Sequence, residues 1–548
     1  MNFAVSDSLE CFDTESVKKG SRMSRKREEK NRITVYLIKP DYSIDQIGKD
    51  GLKRQEITGV GVLLSKQSVE STPRWADKFF KGKIDKSIFR VASASAVLIL
   101  ELKDDNGIEA PRLFAITFGH GRHLLNDNVF EESFGLKTVL NSIEADSVRK
   151  IAKTSVGGNQ KASSEQMPLK STISEFSLDI DRDLLSSITA VGNDDELFAG
   201  ALSGGDSFSL TAAVDVYSIR EFCVKIYNIY NTDKYVENFG WIDHIKPVKD
   251  KKLIAELNAN LVQAVNSGSK DIWMAVPEIV DWENIQGFVY PSIKTPVDDI
   301  IIDDVIAGLR EPLSDFGQLE KTTIQMIGAE DGETLGSWHA NKCLFGELLF
   351  KGDQFCINNG KWYCISKDFA KKIDDDYQET VVSSFPFVDY HSGLSNESDY
   401  NEYLANQNPN EYLLMDKKNV LYGGGYSRIE LCDVLTLDGK LVHIKSYSGS
   451  FTLSHLFNQG LVSAELLKSD KGFLNQANDS IEKIRMDSSF CLSANSGFEV
   501  VFGIISKEMD DLPNIPFFSR VSFYYVKSQL SLIGIPVSIK AIHKVAVE

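Results

Sequence analysis

The sequence predicts a multidomain protein of the α+β or α/β class, with a C-terminal third whose elements follow the order αβββαβ. Three observations predict this class. The chain has 548 residues, too many for one hydrophobic core, which suggests about three or four domains. Hydrophobic residues make up 42% and charged residues 25%, as in ordinary globular proteins. From residue 33 onward, segments with strand-like patterns are interleaved with segments of helical periodicity.

The composition excludes several classes of protein. A net charge of −18 argues against a protein that coats nucleic acid nonspecifically, because such binding needs many Lys and Arg contacts; it permits an enzyme that binds a few phosphates locally. The longest apolar run, 92–102, is too short to cross a bilayer. Residues 1–19 lack the apolar centre of a signal peptide. We therefore expect a cytoplasmic protein with no membrane partner. The sequence is also compatible with a homo-oligomer.

The seven cysteines are widely spread, and their spacing does not resemble a zinc site. We expect them to be reduced thiols.

Shifts in composition predict the domain boundaries. The polar segment 155–172 resembles a linker, and the basic segment 18–32 resembles a solvated tail that could also touch nucleic acid or act as a localisation signal. The predicted division is a disordered basic arm at 1–32, an N-terminal sheet-based α/β domain at 33–154, a second α/β domain at 173–330, a small β connection at 331–379 and the C-terminal domain at 380–548.

The C-terminal domain has the clearest pattern. A polar helix is predicted at 397–405, followed by strands at 412–416, 428–436 and 441–447, an amphipathic helix at 453–467 and a strand at 498–505. Asp438 and Gly439 form a strong hairpin signal between the second and third strands. This order is αβββαβ.

Polar residues gather on two of these strands. Because side chains alternate along a strand, His443 and Lys445 share one face. Asp433 lies on the apolar face of the preceding strand and needs a partner, since a buried charge is costly unless it is paired or bound to a metal. Glu430 points to the opposite face in a regular strand. The pattern therefore predicts that Glu430 and Asp433 do not serve one site unless a bulge intervenes.

The chemistry that suits this set is metal-assisted hydrolysis of a phosphodiester. Asp433 would hold Mg²⁺ or Mn²⁺, the metal would lower the pKa of a bound water, and Lys445 would stabilise charge on the water or the phosphate. The segment 448–454 places backbone donors and hydroxyls at a helix N-terminus, where a phosphate could bind. The candidate nucleic-acid contacts are Ser448, Ser450, Ser454 and His455.

The spacing Asp433-x9-His443-x-Lys445 within αβββαβ resembles the D…(E/Q)xK signature of PD-(D/E)XK nucleases. Gln459 resembles the glutamine on the second helix of the RecB-like branch, and Glu397 and Glu402 match an acidic first helix. The resemblance implies a restriction-endonuclease-like core, a catalytic set of Asp433, Lys445, His443 and Gln459, and a metal held by Asp433, Glu430 and Glu402.

Nearly the full chain also resembles an uncharacterised, sporadically distributed bacterial family of similar length. The segments that carry this resemblance are IELCDVLT, LVHIKSYSGSFTLSHLFNQGLVSAELL and LPNIPFFSR. The family brings no established activity, and its patchy distribution suggests mobile or phage-defence loci.

His443 departs from the nuclease pattern, which has Glu or Gln two residues before the lysine. Imidazole is a poor ligand for Mg²⁺ and a better one for Mn²⁺. Either the metal is unusual, or Glu430 or Glu402 supplies the oxygen, or the fold only binds nucleic acid. A simple salt bridge between Lys445 and Asp433 would also explain the pair.

The predicted function is a metal-dependent nuclease acting on DNA or RNA, with DNA favoured, in anti-phage defence. The alternative is a catalytically inactive nucleic-acid-binding or phage-sensing protein with the same fold.

Overall fold

The structure is a computed structural model. It describes residues 30–545 apart from 68–69, 71, 74–75, 77–78, 104–109, 127–128, 156–161, 179–182, 193–197, 199, 279, 292, 330–331, 423–426, 486–489, 495–496 and 508–509. Most of the predicted basic arm lies outside the described residues. Its last two residues, Asn31 and Arg32, belong to the first strand.

One antiparallel sheet of ten strands dominates the N-terminal part. The elements are β1 (Asn31–Leu37), α1 (Ile44–Ile47), β2 (Lys53–Ile57), β3 (Gly61–Gln67), β4 (Ala94–Leu102), β5 (Arg112–Phe118), α2 (Phe134–Leu140), β6 (Val148–Ser155), β7 (Ala162–Ser171), β8 (Asp183–Gly192), β9 (Gly200–Gly204) and β10 (Ser207–Ala212). The strand order is β2-β3-β4-β5-β1-β10-β9-β8-β6-β7. Alternation is clear in β1, where Ile33, Val35 and Leu37 are buried.

The predicted boundary at 155–172 falls inside this sheet. Residues 162–171 form β7, the edge strand, which pairs with β6. Its sequence ASSEQMPLKS is polar because an edge strand faces solvent on much of its surface. The sheet runs on to residue 212, so neither 154 nor 173 separates two domains here.

The middle part contains two further antiparallel sheets. Its elements are α3 (Ile219–Tyr230), α4 (Val236–Phe239), β11 (Ile245–Pro247), α5 (Lys251–Asn266), β12 (Ile272–Met274), β13 (Ile285–Tyr290), β14 (Ile293–Val297), α6 (Ile302–Ala307), α7 (Gly317–Lys321), β15 (Thr323–Gly328), β16 (Thr334–His339), β17 (Leu344–Phe350), β18 (Asp353–Asn358), β19 (Lys361–Ile365) and α8 (Lys367–Gln378). The sheets have the orders β11-β19-β18-β17-β12 and β14-β13-β15-β16.

The predicted small β connection at 331–379 is not a separate unit. β17, β18 and β19 share a sheet with β11 and β12, and β16 pairs with β15 across the expected boundary. Strand pairing joins residues far apart in sequence, whereas composition reports only local changes.

The C-terminal part forms a six-stranded mixed sheet. Its elements are β20 (Tyr390–His391), α9 (Glu397–Gln407), β21 (Tyr412–Leu414), β22 (Asn419–Tyr422), β23 (Ser427–Glu430), β24 (Val434–Thr436), β25 (Lys440–Ser446), α10 (Ser450–Ser469), α11 (Lys471–Ile484), β26 (Glu499–Ser506), α12 (Phe517–Leu532) and β27 (Val537–Val545). The order is β20-β27-β26-β25-β24-β21, and β22 pairs with β23 in a separate hairpin. β20, β27, β26 and β25 are parallel, whereas β24 and β21 join as an antiparallel meander.

Two apolar cores lie on the two faces of this sheet. One contains the predicted stripe of α10, including Leu453, Phe457 and Leu461, all buried as the helical spacing predicted. At Gly460 a Cβ atom would lie 2.6 Å from the ring of Phe502, so glycine lets α10 approach the sheet closely. The other core joins residues of α9, such as Tyr400 and Leu404, to Val442 and Ile444 of β25.

The structure is thus of mixed α+β class with several antiparallel sheets. Within the described residues, no helix has the length and apolar character that crossing a membrane requires. The six cysteines of the described part are free thiols.

Candidate metal centre

The chain changes sheets between Glu430 and Val434. β23 ends at Glu430 in the separate hairpin, and β24 begins at Val434 in the six-stranded sheet. The sequence predicted one continuous strand over 428–436, which would point Glu430 and Asp433 to opposite faces. That prediction was wrong, because the alternation rule does not extend across a break between two sheets.

The break brings three carboxylates together. Asp416, Glu430 and Asp433 each offer an oxygen, and these oxygens all lie within 4.8 Å of one another. Asp416 follows β21 and is held in place because its backbone N–H and that of Met415 both donate to the carbonyl oxygen of Asp433, at 3.0 and 2.8 Å. All three carboxylates are half-buried. We refer to Asp416, Glu430 and Asp433 as the carboxylate cluster.

Both carboxylate oxygens of Asp433 have donors. Asn401 Nδ2 on α9 donates to Oδ1 at 3.0 Å, and the backbone N–H of Ile444 on β25 donates to Oδ2 at 2.6 Å. Burial is the main cause that raises the pKa of Asp433 to about 8, and the charges of Glu430 and Asp416 raise it further, against the Ile444 hydrogen bond. Burial also raises the pKa of Glu430.

Lys445 lies close enough to Glu430 for its charge to oppose the rise in the pKa of that carboxyl, but it pairs with a residue of α9. Its Nζ is 2.6 Å from Oε2 of Glu397, whose Oε1 accepts a hydrogen bond from the backbone N–H of Ser446 at 2.9 Å. Glu397 and Asn401 are one helical turn apart, so they share one face of α9. The alternative explanation, a salt bridge between Lys445 and Asp433, is not what the structure has: Lys445 pairs with Glu397.

His443 is separated from this cluster. It is 3% exposed, and its Nε2 lies 3.5 Å from Oγ of Ser463 on α10. Its ring is tilted against that of Phe502, with 5.9 Å between centroids. Burial lowers the pKa of His443 to about 3, so the imidazole is neutral at pH 7. His443 therefore belongs to the core under α10, and the predicted convergence of His443 with Lys445 does not occur.

A family model matches residues 33–543 of the chain, and its description is a family of unknown function, DUF6119. The chain belongs to DUF6119. This agrees with the expected full-length resemblance to an uncharacterised family. No curated protein and no solved structure matches the chain. Membership of DUF6119 brings no activity with it, so the function has to be argued from the site itself.

The other predicted metal ligand lies outside the cluster. Glu402 is exposed on α9, five residues after Glu397, and thus turned well away from the face that carries Glu397 and Asn401. Gln459 is half-buried on α10, one turn before Ser463. α10 connects the parallel strands β25 and β26 and so runs back along β25. Gln459 therefore lies nearer than Ser463 to the carboxyl end of β25. This is the end of the strand that carries Lys445.

The predicted phosphate contacts are dispersed. Ser454 Oγ lies 2.9 Å from Ser522 Oγ of α12, which places it between two helices. Ser448 is exposed, with its hydroxyl 2.7 Å from that of Thr452, and His455 is also exposed. The side chain of Ser450 lies outside the described residues.

Sequence reasoning missed Asp416 and Asn401. Asp416 stands at the end of a predicted strand, which is a common place for a functional carboxylate and could have drawn attention. Asn401 carries no signal in the sequence, because its contact with Asp433 spans 32 positions. Together the site offers three convergent carboxylates, an adjacent lysine and an acidic helix, an oxygen-rich donor set that suits Mg²⁺ or Mn²⁺.

Proposed function

We propose that this protein is a metal-dependent nuclease that hydrolyses phosphodiester bonds. The observation that carries the proposal is the carboxylate cluster, whose oxygens lie within 4.8 Å of one another, with Lys445 next to it on β25. Metal-dependent phosphodiester hydrolysis needs carboxylates to hold the cation and a nearby cation to stabilise charge on the phosphate or the attacking water.

Electrostatics favours a cation at the cluster. Two ionised carboxylates whose oxygens lie within 4.8 Å of each other repel by at least about 3 kcal/mol at an effective dielectric constant of about 20. The raised pKa of Asp433, about 8, reflects burial together with these neighbouring charges. A divalent cation would remove the repulsion and hold Asp433 in its ionised form. Asp416, Glu430 and Asp433 would be its protein ligands.

Each residue near the cluster has a role in this proposal. Bound Mg²⁺ or Mn²⁺ would lower the pKa of a coordinated water and polarise the phosphate. Asn401 and the Ile444 amide orient Asp433 toward its partners. Lys445 stabilises negative charge on the phosphate, and Glu397 holds the lysine ammonium at this position through a contact of 2.6 Å.

The order of elements supports a restriction-endonuclease-like core. α9, β21, β24, β25, α10 and β26 follow the order αβββαβ, with an antiparallel meander and then a parallel strand. The chain reaches this last strand through α10 and a second helix, α11. The hairpin β22–β23 is inserted between the first and second core strands. Glu430 at the end of this hairpin supplies a carboxylate, which compensates for the buried His443 at the position where the nuclease signature has Glu or Gln.

A nucleic-acid-binding protein without catalysis is the second candidate. The ion pair between Lys445 and Glu397 favours it over a nuclease, because a lysine neutralised by a carboxylate at 2.6 Å is less able to stabilise the negative charge that develops during hydrolysis.

Cleavage assays separate the two candidates. Plasmid DNA, single-stranded DNA and RNA would be incubated with the protein in Mg²⁺, Mn²⁺ or EDTA. The nuclease proposal expects cleavage with a metal, none with EDTA, and loss of at least about a hundredfold in rate for Asp433→Asn or Lys445→Ala. Glu402→Gln, an exposed change on α9, is the matched control and should keep full activity. Binding without metal-dependent cleavage would favour the second candidate.

A further inference from the structure

A second lysine lies next to the Lys445–Glu397 pair. Lys544 Nζ, on β27, is 3.3 Å from Oγ of Ser446. The backbone N–H of Ser446 in turn donates to Oε1 of Glu397 at 2.9 Å. Ser446 therefore links Lys544 to the Lys445–Glu397 pair, although Lys544 follows Lys445 by 99 positions in the chain.

The parallel strands explain this position. β25, β26 and β27 run in the same direction, so their carboxyl ends lie at one edge of the sheet. Ala541 and Ile542 of β27 are buried, whereas Lys544 is exposed where the strand leaves the core. Tyr390 of β20 pairs with Lys544, and Nζ lies 5.4 Å from the centroid of the Tyr390 ring. Ligands of such sheets bind outside the carboxyl ends of the strands.

Lys544 has no carboxylate partner in the part of the chain that the structure describes. Among the described residues, no carboxylate oxygen lies within 4.0 Å of its Nζ. Lys540, four residues earlier on the same strand and on the same face, has such a partner, because its Nζ lies 3.7 Å from Asp511 Oδ1. In a chain with a net charge of −18, an ammonium beside the proposed active site that no described carboxylate contacts points to an anionic ligand.

We propose that Lys544 binds a backbone phosphate of the nucleic acid, next to the phosphodiester that the carboxylate cluster and Lys445 act on. This inference rests on the proposed function, since it assigns a substrate contact to the same site. The ammonium group offers three donors, and Ser446 and the Tyr390 ring hold it in place without occupying all of them. The contact is to the backbone and is independent of base sequence.

The salt dependence of binding tests this contact. Fluorescently labelled duplex DNA, single-stranded DNA and RNA of about 20 nucleotides would be titrated with the full chain in EDTA, so that no metal-dependent cleavage occurs, over about 50 to 200 mM NaCl. The logarithm of the binding constant K falls as the logarithm of the salt concentration rises. Each phosphate contact makes this slope steeper by about 0.9 for a duplex and by about 0.7 for a single strand. Lys544→Gln should make the slope shallower by that amount and weaken binding about threefold or more at the lowest salt. Lys540→Gln should change neither quantity.

The outcomes distinguish this inference from the nuclease proposal. A Lys544→Gln slope equal to that of the wild type, an equal loss for Lys540→Gln, or no binding by the wild type would overturn the phosphate contact. If the slope is shallower for Lys544→Gln but the wild type cleaves no substrate, the phosphate contact stands and the nuclease proposal is rejected. Mn²⁺ affinity and the unfolding midpoint should be the same in Lys544→Gln and the wild type, which separates a ligand contact from a structural role.

Discussion

The side-chain amide of Asn401 donates a hydrogen bond to Oδ1 of Asp433, with 3.0 Å between the two atoms. Asn401 is 1% exposed, so the bond is shielded from water. The second oxygen of Asp433 accepts from the backbone N–H of Ile444 at 2.6 Å. These two bonds fix the Asp433 carboxylate between α9 and β25, and they link the helix to the carboxylate cluster.

Asn401→Asp should destabilise the metal-free protein more than Asn401→Leu. Aspartate at this position would add a buried negative charge next to Asp433, with an expected loss of about 3 kcal/mol in the free energy of unfolding. Leucine only removes the donor, at about 1 to 2 kcal/mol. Urea denaturation with and without Mn²⁺ measures both. Mn²⁺ should restore part of the stability of Asn401→Asp, and an identical response of the two variants to Mn²⁺ would speak against a cation site here.

The metal-free protein should lose stability as pH rises through the range that Asp433 titrates. Its pKa is about 8 in the folded protein and near 3.8 when unfolded, so between these values the folded state binds the extra proton. The free energy of unfolding therefore falls as pH increases from about 4 to 8. Comparison of pH profiles for the wild type and Asp433→Asn isolates this contribution. Profiles that stay parallel over the range would contradict the shifted pKa.

His443→Gln tests whether the histidine belongs to the core or to the metal site. The folded pKa of about 3 lies below the ordinary value of 6.5, so the unfolded state binds more protons between these values. The free energy of unfolding of the wild type should thus fall as pH decreases from about 6.5 to 3, and His443→Gln should weaken that dependence. Mn²⁺ affinity should stay within about threefold of the wild type, because the side chain faces Ser463. A change of more than about tenfold in Mn²⁺ affinity, in either direction, would place residue 443 at the metal.

Asp416→Asn and Glu402→Gln distinguish the structure's ligand set from the one that the sequence predicted. Asp416 belongs to the carboxylate cluster, whereas Glu402 is exposed on α9. Isothermal titration with Mn²⁺ should show a loss of at least about tenfold in affinity for Asp416→Asn. Glu402→Gln should bind like the wild type. The reverse result would restore Glu402 as a ligand and exclude Asp416.

Much of the C-terminal fold could be predicted from local pattern. α10 and β25 have regular periodicity, and Asp438 with Gly439 marks the turn between β24 and β25, where Gly439 has a φ of 92°. The pattern therefore predicts that Asp433 and Lys445 belong to neighbouring strands. In the structure Asp433 directly precedes β24 and Lys445 lies in β25. The sequence also predicted a helix near Glu397, which α9 confirms.

The composition of the site could not be predicted in the same way. The change of sheet at 431–433 has no strong turn signal, so the pattern predicts one strand that carries both Glu430 and Asp433. The burial of His443 depends on Ser463 and Phe502, which are 20 and 59 positions away. The polar residues of β7 are typical of a linker, yet pairing with β6 makes the segment a strand.

A crystal structure of the protein grown with Mn²⁺ is the most direct test of the central claim that the carboxylate cluster binds a catalytic cation. We expect an anomalous difference peak at the cluster, with oxygens of Asp416, Glu430 and Asp433 about 2.0 to 2.6 Å from the ion. Replacement of Asp433 by asparagine should remove the peak. Density at another position, or no ion at the cluster at saturating Mn²⁺, would contradict the account.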